Sequence, residues 1–395
     1  MASARFLATI HSGIRNGKTR PRAVPASNGQ DHEPPEDDMP TEDPYQDESK
    51  RSVVITSASR IRPARVRWLW QDRLAVGTLA LLAGREGVGK SILAYWLVAV
   101  ITRGVLPGEH HGQPKAVLVA ESEDSWEHTI VPRLMAAGAD LDLVYRVEVI
   151  TSTNVHSEIS MPQDLHDLEQ RAVEVGAVLL LLDPLMSRLS DRLDTHRDAE
   201  VRLALEPLAA LANRAHLTVL GIIHHNKSGS TDPLQVIMGS RAFTAVARSV
   251  HTVILDPDDE TNRRRLFGTP KNNLGLSDLP TFSFVIDSFA IETDDGDLAG
   301  TGRLLWGAAS PASIHDAMER ASESSEHKSA AEEAQGWLED FLTLRGGREE
   351  SAKIKKAAYG AGHSEKALRS ARRRLKIEIE QHGFPRQTWW SLPNT

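Results

Sequence analysis

Cysteine is absent from all 395 residues, which excludes disulfides, thiolate nucleophiles, cysteine-ligated zinc and iron–sulfur clusters. A reducing cytoplasm is the expected compartment. Long apolar runs are missing too. No stretch reaches the roughly 18 residues needed to cross a bilayer, and the basic N-terminus is followed only by the short Phe6 to Ile10 run, too brief for a signal-peptide core. The expectation is a chain with no membrane partner that is not exported. Positive charge is in slight deficit, with 46 Lys and Arg against 54 Asp and Glu and a formal charge of −8. Nine of those carboxylates fall between Asp31 and Glu48, a segment without Lys or Arg, so the rest of the chain is close to neutral. Basic surfaces for a nucleic acid therefore remain possible elsewhere.

Composition divides what is present into four parts. Residues 1–59 are rich in Pro, Ser, Asp, Glu and Arg and poor in aliphatic side chains, so they are expected to be a disordered tail. Residues 60–307 alternate short aliphatic runs with helical-period segments, the pattern of an α/β domain with a mainly parallel sheet. Strands are expected at Leu79 to Ala83, Ala116 to Ala120, Val178 to Leu182, Leu217 to Ile223 and Val250 to Leu255, and helices at Lys90 to Arg103 and from Asp198. Arg265 to Gly268, Phe282 to Asp287 and Arg303 to Trp306 follow without long helices between them, which predicts an antiparallel edge. Residues 308–327 lack a strong apolar period and read as a linker. Residues 328–395 supply three short helices and a terminal hairpin, the outline of a winged helix-turn-helix.

Gly84-Arg85-Glu86-Gly87-Val88-Gly89-Lys90-Ser91 fits G-x-x-x-x-G-K-[ST] between a predicted strand and an amphipathic helix. Its glycines let backbone N–H groups wrap a phosphate chain, Lys90 supplies a point charge, and the Ser91 hydroxyl is placed for Mg²⁺. The implied ligand is ATP with Mg²⁺. Asp183 ends an aliphatic strand, as a Mg²⁺-holding carboxylate does, but Pro184 follows where many nucleotide motors place the water-polarising Glu. Another strand must supply that group. Glu123, in Glu121-Ser122-Glu123-Asp124 after the next strand, is the expected base, with Glu121 in reserve. The strand ending in His224-His225-Asn226-Lys227 offers a γ-phosphate sensor, for which His225 is favoured, since adjacent strand residues face opposite ways. Arg241 and Arg248, seven apart on a predicted helix, share one face, so either can offer a guanidinium to a phosphate.

Together these residues resemble the RecA/DnaB-type P-loop ATPases, most closely the RepA-like AAA family of plasmid and phage hexameric helicases. The resemblance spans about 67–307 and rests on Trp68 to Gly77 leading into the P-loop, Glu123-Asp124, Asp183, His224 to Lys227, Gly239-Ser240, Arg248 and Lys271-Asn272-Asn273. It implies a nucleotide held between subunits of a homo-oligomeric ring, a hexamer in that family. Glu123 is then the base, Arg248 the neighbour's arginine and Lys271 a second cation acting across the interface. It also implies a DNA-acting motor, a replicative helicase or a relative of one from a mobile element. The acidic tail and the C-terminal module are extra to a minimal ring helicase, which keeps a second expectation open, an ATP-switched DNA-binding regulator.

The last predicted helix is the DNA-reading candidate. Gly362-His363-Ser364 makes a turn and N-cap, and Leu368, Ala371 and Leu375 form its inward face. Lys366, Arg369, Arg372, Arg373, Arg374 and Lys376 supply the charge that phosphate contacts need, and Lys353, Lys355 and Lys356 add to it from the preceding helix.

Overall fold

The computed structural model describes residues 53–393, with 152–153, 227–229 and 385 outside the description. Of the expected tail, 1–52 lies outside the described residues. Two compact units are present, one running to Ile314 apart from two short loop segments, the other from His315 onward.

In the first unit the hairpin β1 (Trp68–Trp70) and β2 (Leu74–Ala75) leads into β3 (Leu79–Gly84) and α1 (Lys90–Thr102). There follow β4 (Ala116–Glu121), α2 (Val131–Ala137), β5 (Val144–Arg146) and the small hairpin β6 (Val149–Ile150) with β7 (His156–Ser157). Next come α3 (Leu165–Glu174), β8 (Ala177–Asp183), α4 (Asp198–Arg214), β9 (Thr218–His224) and α5 (Ala242–Val246). The unit closes with β10 (Ser249–Leu255), β11 (Arg264–Asn272), β12 (Thr281–Glu292) and β13 (Leu298–Ser310). The main sheet has the order β13-β12-β11-β10-β3-β9-β8-β4-β5. Strands from β10 to β5 are parallel, and β11, β12 and β13 are antiparallel. This is the expected α/β architecture with its antiparallel edge.

The aliphatic strands are apolar at every position because both sheet faces are covered. Ala80 and Leu82 of β3, Val117 and Val119 of β4, and Leu220 and Ile222 of β9 pack on the α1 side. Their neighbours Leu79, Leu81, Leu118, Val219 and Ile223 pack with Leu165 and Leu168 of α3 and Leu205 and Leu208 of α4. The strict alternation is the period-2 geometry of extended chain. On the α1 side Trp70, Phe267 and Phe282 surround the buried guanidinium of Arg73, and Trp96 and Trp306 pack against these rings. Arg73 donates to Thr269 Oγ1 at 2.8 Å and to the Pro280 carbonyl at 2.7 Å, so it joins the turn after β1 to the antiparallel flank.

The second unit is described by itself. Its first helix, α6 (Ile314–Thr343), begins directly after β13, so most of the expected linker is helical. Then come β14 (Arg348–Glu350), α7 (Ser351–Gly360), α8 (Glu365–Arg374), β15 (Glu378–His382) and β16 (Gln387–Ser391). The three strands pair in the order β14-β16-β15, which adds one strand to the anticipated hairpin. Leu338, Leu342, Ile354, Leu368, Ala371 and Trp390 form the core. Ser364 caps α8, its hydroxyl accepting the Ala367 N–H at 3.2 Å.

Candidate functional site

Parallel register brings the ends of four strands to one edge of the sheet, the position where open α/β sheets bind ligands. Gly84 pairs with His224, and Glu121 with Asp183. The P-loop springs from the same edge. Gly84 is required by close approach, since a Cβ there would lie 2.6 Å from the Val253 carbonyl oxygen. Gly89 is required by conformation, with φ at 99° at the start of α1. Arg85, Glu86 and Gly87 are exposed while Val88 is buried and anchors the loop. Lys90 Nζ donates to the Gly84 carbonyl at 3.0 Å and to the Arg85 carbonyl at 2.9 Å. Burial lowers its pKa against the pull of Asp183, Glu86 and Glu123.

The acidic side of the site is built from β4 and β8. Burial pushes Asp183 up to about 6, against a hydrogen bond from Ser91 and the charge of Lys90. A hydroxyl and a carboxylate already in contact at the start of a P-loop helix fit a divalent cation. Glu121 is buried and pushed up to about 7 by desolvation, although it accepts backbone N–H groups of Glu123 and Asp124. Glu123 is exposed, and its charge acts on Lys90, Asp183 and His224. One residue here went unnoticed in the sequence. Tyr95 lies one helical turn after Ser91, and its buried hydroxyl has no hydrogen-bond partner among the described residues. Inside an apolar helix stretch, a tyrosine gives no sign that it neighbours carboxylates.

The two histidines exchange the places expected of them. His224 Nδ1 lies 3.3 Å from Lys90 Nζ, and burial followed by the Lys90 charge lowers its pKa, which suits a neutral acceptor. His225 turns inward, with Nε2 3.0 Å from Thr252 Oγ1 on β10. The strand-alternation argument was sound but did not say which face meets the P-loop, and the register Gly84 to His224 decides it. Burial holds His225 down to about 4, so it stays neutral in the fold while the unfolded chain protonates near 6.5. Stability is therefore lost as pH falls through this window, by an amount approaching about 3 kcal/mol. Urea unfolding between pH 7 and 4.5 should show a shallower decline for His225→Gln than for the natural sequence.

The arginine argument also changes. Helix α5 covers only Ala242–Val246, with Arg241 as its N-cap and Arg248 beyond Ala247, whose backbone is extended. The two guanidiniums therefore do not share a helix face. Arg248 is exposed and enters β10 at its N-terminal end, where its N–H bonds the Leu79 carbonyl at 2.8 Å. It sits at the opposite edge of the sheet from Lys90, about 16 Å away at roughly 3.3 Å per strand residue. Lys271 does not present a free ammonium. Its Nζ donates to the Thr244 carbonyl at 2.5 Å and the Ala247 carbonyl at 2.9 Å, capping α5. Burial and the nearby Arg248 lower its pKa.

In the C-terminal unit Lys366, Arg369, Arg373 and Lys376 are exposed along and just beyond α8. Arg372 is different, because its guanidinium lies 5.2 Å from the Trp390 ring centroid against the core. Arg374 lies 3.4 Å from Glu332. A sequence count of cations cannot separate these roles.

A comparison with curated proteins found no match. A scan of family models matched residues 45–230 to the family described as AAA domain. The match ends before Arg248, Lys271 and the C-terminal unit. The P-loop, the carboxylates of β4 and β8 and the end of β9 all fall inside it, in an α/β sheet of RecA-like order, so this part of the chain is similar to the AAA domain family, P-loop ATPases that include RepA-like helicases, and the match supports an ATPase of the P-loop class.

Proposed function

We propose that the protein is an ATP-hydrolysing, ring-forming motor acting on DNA, a helicase or helicase-like replication protein of a mobile element. The observation that carries this reading is the separation of Arg248 from its own P-loop across the length of the strands. An exposed arginine on the opposite edge cannot reach its own nucleotide but can complete a neighbour's site. Within one subunit Lys90 neutralises the phosphates, Glu123 orients and deprotonates the attacking water, and His224 reports the γ-phosphate to the loop after β9. Ser91 and Asp183 would hold Mg²⁺, which when bound would supply charge neutralisation to the phosphates. Lys271 holds α5 and thereby sets the chain that carries Arg248. The test is ATP hydrolysis with and without single-stranded and duplex DNA, together with displacement of a labelled strand. DNA-stimulated turnover with displacement is the expected result.

A second reading has its own observation. The capped α8 follows α7 across a short turn, with a three-stranded sheet beside them, the parts of a winged helix-turn-helix that reads duplex DNA. An ATP-switched duplex reader would hydrolyse slowly and displace nothing. Either way Lys366, Arg369, Arg373 and Lys376 are the proposed phosphate contacts. Duplex affinity of the full chain should fall with salt, log K losing roughly 0.9 per phosphate contact for each unit of log salt. Charge reversal of Arg369 and Arg373 together should flatten that slope by about two contacts. Arg372→Ala should instead lower the melting temperature, because its cation–π contact of about 0.5–1 kcal/mol holds Trp390.

A further inference from the structure

The turn after β4 is fastened from both sides. On the inside Glu121, only 7 % exposed, accepts the Glu123 N–H at 2.9 Å and the Asp124 N–H at 3.1 Å on Oε1. Its Oε2 accepts the Asp124 N–H at 3.0 Å. On the outside the Asp124 carboxylate accepts from Arg133 of α2 at 2.6 Å. Both oxygens of Glu121 are therefore committed to backbone N–H groups of this turn, Oε1 to those of Glu123 and Asp124 and Oε2 to that of Asp124, and Glu123 is the residue whose charge acts on Lys90, Asp183 and His224. A carboxylate so engaged is poorly placed to take a proton from water, but it is well placed to fix a neighbour. Strand register supports the same division of labour, since Glu121 stands beside Asp183 inside the sheet edge while Glu123 lies beyond it and is exposed.

We propose that Glu121 is a positioning residue for ATP hydrolysis, clamping the turn that holds the Glu123 carboxylate at the phosphate site. This rests on the reading of Glu123 as the water-polarising base. The clamp needs hydrogen-bond acceptance, not negative charge or basicity. Glutamine supplies an acceptor at Oε1 and can keep both bonds made there, whereas alanine keeps none. A general base responds differently, because glutamine cannot take a proton and would be as inactive as alanine.

The experiment uses the full chain, measuring steady-state hydrolysis and binding of a fluorescent ATP analogue for Glu121→Gln, Glu121→Ala and Glu123→Gln. Glu121→Ala should lose turnover by about 10- to 100-fold with KM for ATP within about twofold of the natural value, since the base is displaced and the phosphate cradle is not. Glu121→Gln should recover turnover to within about threefold of the natural sequence. If Glu121→Ala proves unfolded and binds no analogue, Glu121→Gln decides alone. The positioning role is overturned if Glu121→Gln binds the analogue normally yet hydrolyses no faster than background, or if Glu121→Ala turns over normally. Glu123→Gln separates the two ideas. Full turnover there removes the base assignment whatever Glu121 does, whereas an inactive Glu123→Gln beside an inactive, nucleotide-binding Glu121→Gln overturns only the clamp.

Discussion

Replacing Glu123 by Gln should leave ATP bound and stop its hydrolysis, while replacing Lys90 by Ala should release the ATP. The Glu123 side chain is exposed beside the phosphate edge, so its replacement changes only the carboxylate proposed to polarise the attacking water. General-base catalysis contributes roughly 10²- to 10⁴-fold, and turnover in Glu123→Gln should fall by that order. Lys90 is buried at the start of α1 and is the cation of the cradle. Losing a charge-assisted contact of about 1.5–3 kcal/mol should weaken ATP binding by roughly 10- to 150-fold. Titration with a fluorescent analogue and release of inorganic phosphate measure the two effects separately. Tight binding by Lys90→Ala, or undiminished phosphate release by Glu123→Gln, would contradict the assignments.

Mixing two inactive variants should restore activity. Arg248→Ala subunits keep an intact P-loop, and Lys90→Ala subunits keep the arginine on the opposite sheet edge. Each variant alone makes only defective interfaces. In a one-to-one mixture that exchanges subunits freely, the P-loop of the first and the arginine of the second meet at about one interface in four, so about a quarter of natural activity is expected. Recovery requires that the nucleotide be shared between subunits. A monomer with full activity at working concentration, measured by light scattering alongside turnover, would refute the arrangement and with it the ring.

Much of the first unit was legible in the chain because the signals are local. Apolar runs of five to seven residues must be buried on both faces, so they read as parallel strands. The P-loop is one contiguous segment whose glycines, lysine and serine have no cheaper common explanation. Asp183 was readable for the same reason, as the polar end of an aliphatic run. Residues near Arg248 were harder. A helix was expected to carry both Arg241 and Arg248, but only Ala242–Val246 is helical, because the chain must become extended at Ala247 to enter β10 beside β3. The segment after β13 read as a linker for want of an apolar period, and yet it belongs to the long helix α6.

The amino-acid sequence by itself determined the strands, the phosphate-binding loop and the pool of carboxylates, histidines and arginines from which a site could be drawn. Only the tertiary structure decided which members of that pool meet. His224 and not His225 reaches Lys90 because β9 pairs with β3 in one register out of the possible ones. Glu121 turns its oxygens onto the turn and leaves Glu123 exposed because β4 ends level with β8. Lys271 caps α5, and Arg372 lies over Trp390, because each finds a partner far away in sequence. The physical reason is the same in every case. Local pattern encodes which face of an element is apolar, whereas the contacts of a polar side chain depend on register and on elements distant in the chain.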